Sequence, residues 1–440
     1  MDDLDLVSAV ARLNSWDSPQ VGRSYQHELL TTGCLAIGDL PQPYVTLPID
    51  LDRFELRPLD SDAPTLITTD IGKGWEIVGV LSGDVILSIP TDPSVTPTIL
   101  ELETDRYRSS RGHPHHAEPI GRARTVRIGH GNFAHFLWNN LPATILWETT
   151  ISHLVRRGEV RCEFQPDSLV QLRCLGAEHE LLPLIAPLIE GVGTGWPAAN
   201  TIRLGSVLVS EAARRRTMSS LLTVPVRPAA RPRLWLGVRH PAMRRSPRNL
   251  DEFFAAVAAL WCQLTTGDVI VDGYTIAPED EPGARDLERQ ADSDSYVGEI
   301  MRRVRELLGT APSTPGSASG RVIDTMGVPL RESLALAGTA DFYVSCPGTT
   351  QHKIGWVWNS PGIVLNAPIV GREHHSQWCG RMVENGFIPL GLPDDFVRFT
   401  EQPESREPER LFDPYVIVNV EGAARWVVDQ GLAQVARTGG

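Results

Sequence analysis

The pattern of apolar and polar positions is most regular in the second half of the chain, where short apolar runs alternate with helical repeats. The runs LWLGV (from 234), GDVIVDG (from 267), RVIDT (from 321), DFYVSCPG (from 341) and GIVLN (from 362) predict strands. The segments NLDEFFAAVAALW, VGEIMRRVRELLG, PLRESLALAGTA and QHKIGWVWN between them predict helices. Strands separated by helices indicate a parallel sheet, which binds ligands beyond the carboxyl ends of its strands.

The first half of the chain is less uniform. Apolar residues near helical spacing predict a helix over 3–15, and Trp75–Leu81 and Val85–Ile89, joined by Ser82-Gly83-Asp84, predict a hairpin. Further on, TVRIG, SLVQLRCLG and NTIRLGSVLVS predict strands, and HELLPLIAPLIEG predicts a helix. A long helix is expected over Asn132–Leu154, kinked or divided at Pro142.

These patterns predict an α/β protein with several domains. We expect a β-rich N-terminal extension over 1–110 packed on a first α/β domain over 111–223, and a second α/β domain over 234–440. The boundary is placed in the bridge VPVRPAARPR, Val224–Arg233, because clustered prolines favour extended linkers.

Composition narrows the function classes. A net charge of -13 argues against a general electrostatic grip on nucleic acid, although a local basic patch can still hold a phosphate. An acidic start and the lack of a long apolar run predict a cytoplasmic protein without a signal peptide or transmembrane segment. The six cysteines form no Cys-x-x-Cys pair, so reduced, mostly buried thiols are expected.

The first cluster of candidate residues is GHGNFAHFLWNNLP, from Gly129 to Pro142. Asn132, His135 and Asn139 recur at a spacing that places them on one helix face. His135 or His130 could deprotonate an attacking hydroxyl, with Glu148 as the next candidate base. A polar helix start with a satisfied histidine is the alternative.

The second and third clusters follow predicted strands. After LWLGV come Arg239, His240, Arg244, Arg245, Arg248 and Asn249, whose cationic groups suit phosphate oxygens. After DFYVS come Gly348, Thr349, Thr350, His352 and Lys353, where small residues allow a diphosphate to approach the backbone. A solvated loop and a plain strand-to-helix turn are the respective alternatives.

Taken together, these segments resemble glycosyltransferase family sixty-one. The matching segments, within residues 124–370, are NFAHFLWNNLP, WLGVRHPAMRRSPRNLDEF and YVSCPGTTQHKIGWVWNSPGIVL. The sequence departs from the family at Cys346-Pro347-Gly348-Thr349, where members commonly have His-Gly-Ala.

The resemblance implies a GT-B architecture, with two Rossmann-like domains facing a central cleft. It also implies inverting, metal-independent transfer of a sugar from a nucleotide-activated co-substrate to an acceptor hydroxyl on a glycan, small molecule or protein, as in polysaccharide biosynthesis. No cofactor is expected.

Two other function classes remain open at this stage. One is a carbohydrate- or protein-binding module on a degenerate transferase scaffold. The other is a metalloenzyme built on His113, His115 and His116 or on His374 and His375, although zinc needs three or four converging ligands and no acidic helix motif accompanies these histidines.

Overall fold

A computed structural model describes the protein over residues 19–32, 35–36, 43–48, 53–58, 66–69, 76–82, 85–88, 105, 124–130, 133–165, 178–189, 191, 201–206, 208–222, 231–241, 246–274, 284–309, 320–365, 379–400 and 414–438. The chain divides into two compact units. The first comprises Met1–Leu172 with Glu178–Val209, and the second comprises Arg173–Ala177 with Ser210–Gly440.

The first unit contains an antiparallel sheet of six strands in sequential order. The strands are β1 (Leu35–Ala36), β2 (Pro43–Pro48), β3 (Arg53–Pro58), β4 (Leu66–Thr69), β5 (Glu76–Ser82) and β6 (Val85–Ser88). Pairing of β5 with β6, from Gly79 opposite Ser88 to Ser82 opposite Val85, confirms the predicted hairpin. A helix over Pro19–Thr32 precedes this sheet.

A second, parallel sheet in this unit has the order β8-β7-β9. Its strands are β7 (Arg124–Ile128), β8 (Val160–Phe164) and β9 (Thr201–Arg203). The connection from β7 to β8 contains a helix over Phe133–His135, a π-helix over Phe136–Asn140 and a helix over Leu141–Arg156. A π-helix, whose turns are wider than α-helical ones, thus directly precedes the helix that has Pro142 near its start.

The segment HELLPLIAPLIEG corrects one prediction. In place of one helix, the structure has a short helix over Glu178–Leu181 and a 3-10 helix over Ala186–Leu188. Pro183 and Pro187 cannot donate backbone hydrogen bonds, so a continuous helix cannot pass through them.

The second unit contains a six-stranded parallel sheet with the order β12-β11-β10-β13-β14-β15. Its strands are β10 (Arg233–Gly237), β11 (Asp268–Asp272), β12 (Val322–Asp324), β13 (Phe342–Ser345), β14 (Gly362–Val364) and β15 (Leu390–Gly391). Helices span Glu211–Leu221, Leu250–Thr265, Ala284–Gly309, Leu330–Ala337 and Thr349–His352, followed by a π-helix over Lys353–Val357. The predicted α/β class with parallel sheets is therefore confirmed.

Alternating side chains of this sheet fill two separate cores. Leu234, Leu236 and Val344 belong to one cluster with the Leu250–Thr265 helix, while Trp235 and Tyr343 belong to the cluster on the opposite face. Burial on both faces explains why the strands are continuous apolar runs. A hairpin of β16 (Val397–Phe399) and β17 (Tyr415–Ile417) and a helix over Val420–Thr438 complete the unit.

Several predicted elements lie outside the described residues: the helix over 3–15, the strand SLVQLRCLG and most of the proline-rich bridge. The predicted domain boundaries stay a prediction. Among the helices that the structure describes, none is both long enough and apolar enough to cross a bilayer.

Candidate functional site

The first candidate site lies at the carboxyl edge of the three-stranded parallel sheet. Strand order β8-β7-β9 reverses between β7 and β9, and such a reversal opens a crevice between the loops of adjacent strands. Gly129 follows β7 with a φ of 106°, a conformation that favours glycine. Its N–H donates to Oδ1 of Asn140 at 2.6 Å, and Nδ2 of Asn140 donates to the carbonyl of Leu204 beyond β9 at 3.3 Å.

His135 lies at this crevice in a defined orientation. Nδ2 of Asn139 donates to the carbonyl of Ser206 at 2.8 Å, which leaves Oδ1 of the same amide as an acceptor. Nδ1 of His135 is 2.9 Å from that oxygen, a contact that favours the tautomer with the proton on Nδ1. The lone pair then resides on Nε2. This chain of contacts fixes the orientation of the His135 ring.

The other candidates of this cluster that the structure describes lie at different distances from His135. The ring of His130 lies 4.9 Å from that of His135, measured between centroids, so the structure brings both histidines together. Asn132 lies outside the described residues. Glu148 is buried and its Oε1 accepts from the N–H of Leu184 at 2.8 Å, about 20 Å along the helical run from His135. Glu148 is therefore separated from the histidines.

The second candidate site lies at the carboxyl edge of the six-stranded sheet, where the strand order reverses between β10 and β13. Arg239 follows β10, and its Nη1 donates to the carbonyl of Pro347, beyond β13, at 3.1 Å. Gly348 has a φ of 128°, and a Cβ there would overlap Nη1 of Arg239. The guanidinium thus packs directly on bare backbone. Two sequence clusters that are separated by about a hundred residues meet here.

The surroundings of Arg239 hold it in place. The hydroxyl of Ser246 donates to the Arg239 carbonyl at 2.7 Å and lies 3.4 Å from Sγ of Cys346. Burial lowers the pKa of the Arg239 guanidinium from its ordinary value, although an arginine stays charged near neutral pH. Burial also raises the pKa of the Cys346 thiol to about 11, which keeps it protonated and unsuited to act as a nucleophile.

The helix that follows β10 is a poor candidate for holding an anion. The helix over Leu250–Thr265, which follows β10, has Asp251 and Glu252 in its first turn, and the hydroxyl of Tyr296 accepts from the Asp251 N–H at 2.9 Å. Its N-terminus is therefore both occupied and negatively charged, which disfavours phosphate. The turn at Gly348, in contrast, has the positive Arg239 guanidinium beside it.

Asn249 is one of the residues that the sequence assigned to nucleotide binding. Its side-chain amide donates to the carbonyl of Ile417 and accepts from the Ile417 N–H, both at 2.9 Å. Both ends of the amide thus hold β17, and the expected contact with a nucleotide stays a prediction.

Lys353 is likewise engaged within the protein. Its ammonium contacts both carboxylate oxygens of Asp272 at 2.9 Å and the Ser333 hydroxyl at 3.1 Å, and its side chain is only 2% exposed. All three of its donors are thus engaged within the protein. Asp272 was not among the sequence candidates, although an aspartate at the end of a fully buried apolar strand needs a counter-charge.

The remaining candidates of the third cluster surround the Gly348 turn. The hydroxyl of Thr350 lies 3.3 Å from Oγ of Ser345 in β13, and Thr349 begins the short helix. The buried ring of His352 stacks on Trp356 with centroids 3.5 Å apart.

Arg244, Arg245 and both histidine clusters, His113/His115/His116 and His374/His375, lie outside the described residues. Within the described part of the chain, no three His, Cys, Asp or Glu side chains are grouped as metal ligands.

Comparison with known proteins gives only distant likenesses. No protein-family model matches the chain and no curated protein matches it, so the resemblance to family sixty-one is not confirmed. Among solved structures, the chain is similar to E. coli ADP-heptose LPS heptosyltransferase II, with 11% identity, 72% of this chain and 100% of that chain covered, and a TM-score of 0.33.

It is also similar to the dodecameric iron-containing heptosyltransferase TibC in complex with ADP-D-beta-D-heptose, with 12% identity, coverage of 72% and 77%, and a TM-score of 0.31. For E. coli heptosyltransferase WaaC with ADP, the identity is 12%, the coverage is 62% and 94%, and the TM-score is 0.28. At these scores we base no functional assignment on the likeness.

Proposed function

We propose that the protein is a GT-B type glycosyltransferase that transfers a sugar from a nucleoside-diphosphate donor to an acceptor hydroxyl. The observation that carries the proposal is the packing of Arg239 on the bare backbone of Gly348, where the order of the six-stranded sheet reverses. A positive fork beside a glycine turn at such a point suits a diphosphate. The resemblance of the sequence to family sixty-one supports the same reaction class.

In the proposed reaction, an acceptor oxygen forms a bond to the anomeric carbon of the sugar while the bond from that carbon to the diphosphate oxygen breaks. Nε2 of His135 accepts the proton of the attacking hydroxyl, and Asn139 keeps the ring in the required tautomer. Arg239 stabilises the negative charge that develops on the leaving diphosphate. Arg244, Arg245, Thr349 and Thr350 are further candidates for diphosphate contacts, and His130 is the second candidate base. We propose an inverting, metal-independent displacement.

Nucleotide binding tests this proposal most directly. Thermal-shift and calorimetric titrations with ADP, GDP, CDP and UDP should identify at least one ligand of the wild-type protein. Arg239→Ala should bind that ligand roughly 10- to 150-fold more weakly, because losing a charged donor costs about 1.5–3 kcal/mol. Equal affinity in the variant would remove Arg239 from the site. Absence of binding for all four nucleotides would contradict the proposed donor class.

A further inference from the structure

A fully buried polar network surrounds the Asp272 carboxylate in the second unit. Asp272, at the end of β11, receives its hydrogen bonds from three directions. The Thr325 hydroxyl donates to Oδ1 at 2.8 Å, the Ser333 hydroxyl donates to the same oxygen at 3.0 Å, and Lys353 contacts both oxygens at 2.9 Å. The network joins β11, the residue after β12, the Leu330–Ala337 helix and the first residue of a π-helix.

The position of Lys353 relative to the Gly348 turn gives this network a second role. The N–H of His352 donates to the carbonyl of Gly348 at 3.1 Å, so a single helical turn connects Gly348 with the residue before Lys353. On the other side of the turn, Oγ of Ser345 donates to the carbonyl of Gly237 at 3.3 Å. The Gly348 turn is therefore held by β13 at one end and by the ammonium of Lys353 at the other.

A buried ion pair is a poor choice if stability alone is required. Well-packed apolar residues of similar volume often stabilise a core as well or better, because the ions lose their hydration. A saturated polar network does, however, specify one arrangement of the elements it joins, since any other arrangement leaves a buried charge without partners. Here the specified arrangement includes the backbone on which Arg239 packs.

We propose that the buried Lys353–Asp272 ion pair is a positioning device that holds the Gly348 turn in the shape that binds the donor diphosphate. Lys353 contacts no substrate in this account and acts through the single helical turn that it anchors. The inference rests on the proposed function for its ligand, but the rigidity of the turn can be measured without any ligand.

The test compares two variants with a matched control. Lys353→Met removes the anchor but leaves a buried carboxylate, whereas Asp272→Asn combined with Lys353→Met removes both charges and is the variant expected to fold more readily. The control is Arg127→Met in the first unit, because Arg127 is also about 2% exposed and is paired with Glu163 at 2.6 Å. Lys353→Met and Arg127→Met should melt at a lower temperature than the wild type, because each leaves a carboxylate without its partner, and the double variant should melt above Lys353→Met.

Nucleotide affinity separates positioning from mere stability. Well below each melting temperature, both Lys353 variants should bind the nucleoside diphosphate selected from ADP, GDP, CDP and UDP at least about 10-fold more weakly than the wild type. Arg127→Met should bind it with unchanged affinity. Wild-type affinity in the folded double variant would overturn the proposal, because the ion pair would then contribute only stability.

Hydrogen exchange of the His352 amide provides the ligand-free readout. The His352 amide proton, which is hydrogen-bonded to the Gly348 carbonyl, should exchange faster in both Lys353 variants than in the wild type. In Arg127→Met it should exchange at the wild-type rate. Unchanged exchange in the Lys353 variants would refute the positioning role even if nucleotides bind. If no nucleotide binds the wild type but exchange increases as expected, the ion pair holds the turn and the proposed donor class is the part that fails.

Discussion

Replacing Gly348 by alanine isolates the contact between the Arg239 guanidinium and the backbone. A Cβ at this position would occupy the space of Nη1 of Arg239, so the guanidinium has to move away from the turn. Losing this charged donor from the diphosphate site should weaken nucleotide binding roughly 10- to 150-fold. The φ of 128° is unfavourable for any residue with a side chain, which costs of order 1–3 kcal/mol. For a unit of this size, the melting temperature should fall by roughly 2–12 °C.

Gly327→Ala is the matched control for backbone strain. Gly327 has a φ of 69° and no heavy atom within 4 Å of an added Cβ. This variant should therefore melt at a lower temperature, by roughly 2–8 °C, and keep its nucleotide affinity. Calorimetric titration and thermal melting of both variants provide the comparison.

A double variant completes this test. Arg239→Ala combined with Gly348→Ala should bind the nucleotide no more weakly than Arg239→Ala alone, because both changes remove the same contact. If Gly348→Ala bound the nucleotide as tightly as Gly327→Ala, the position of the guanidinium on the turn would be irrelevant to the ligand, and the reasoning would fail.

Three further predictions concern other residues. His135→Ala should reduce turnover about 10²- to 10⁴-fold with donor affinity unchanged, as measured by transfer and binding assays. Asn139→Leu should give a smaller loss of turnover. Normal turnover in His135→Ala would move the base to His130. Asn249→Ala should lower the melting temperature by roughly 2–12 °C, because the buried backbone N–H and carbonyl of Ile417 lose their partner, while nucleotide affinity stays the same. Weaker nucleotide binding would show that Asn249 belongs to the nucleotide site. Limited proteolysis should cleave within Val224–Arg233 and release two fragments of similar size, and cleavage elsewhere alone would contradict that boundary.

The central strands could be predicted from sequence because local pattern alone determines them. Apolar runs such as those of β10, β11 and β13 are buried on both faces, so their signal does not depend on any partner. By contrast, β8 was missed, although Arg161 and Glu163 alternate with its apolar residues as expected for a half-buried strand. The short strands β15, β16 and β17 have only two or three residues each, too few for a periodic signal.

The site could be predicted only as separate clusters. Sequence indicated that Arg239 and Gly348 follow strands, and parallel strands place such residues at one edge, but strand order decided that they are neighbours. The roles of Asn249 and Lys353 depend on Ile417 and Asp272, which are distant in sequence. A polar residue type at a sheet edge does not reveal whether its partner is a ligand or the protein itself.

The two π-helices affect how the protein tolerates changes in the length of its chain. Each one directly follows a candidate histidine, His135 before Phe136–Asn140 and His352 before Lys353–Val357. A π turn contains one residue more than the α-helical turn it replaces, so deleting one residue within it restores a regular helix without losing hydrogen bonds. The residues before and after the deletion keep nearly the same relative orientation, because the lost residue is the extra one of the π turn. Deleting one residue of Phe136–Trp138 would therefore preserve the helix and leave His135 and Asn139 three residues apart, still on one helix face.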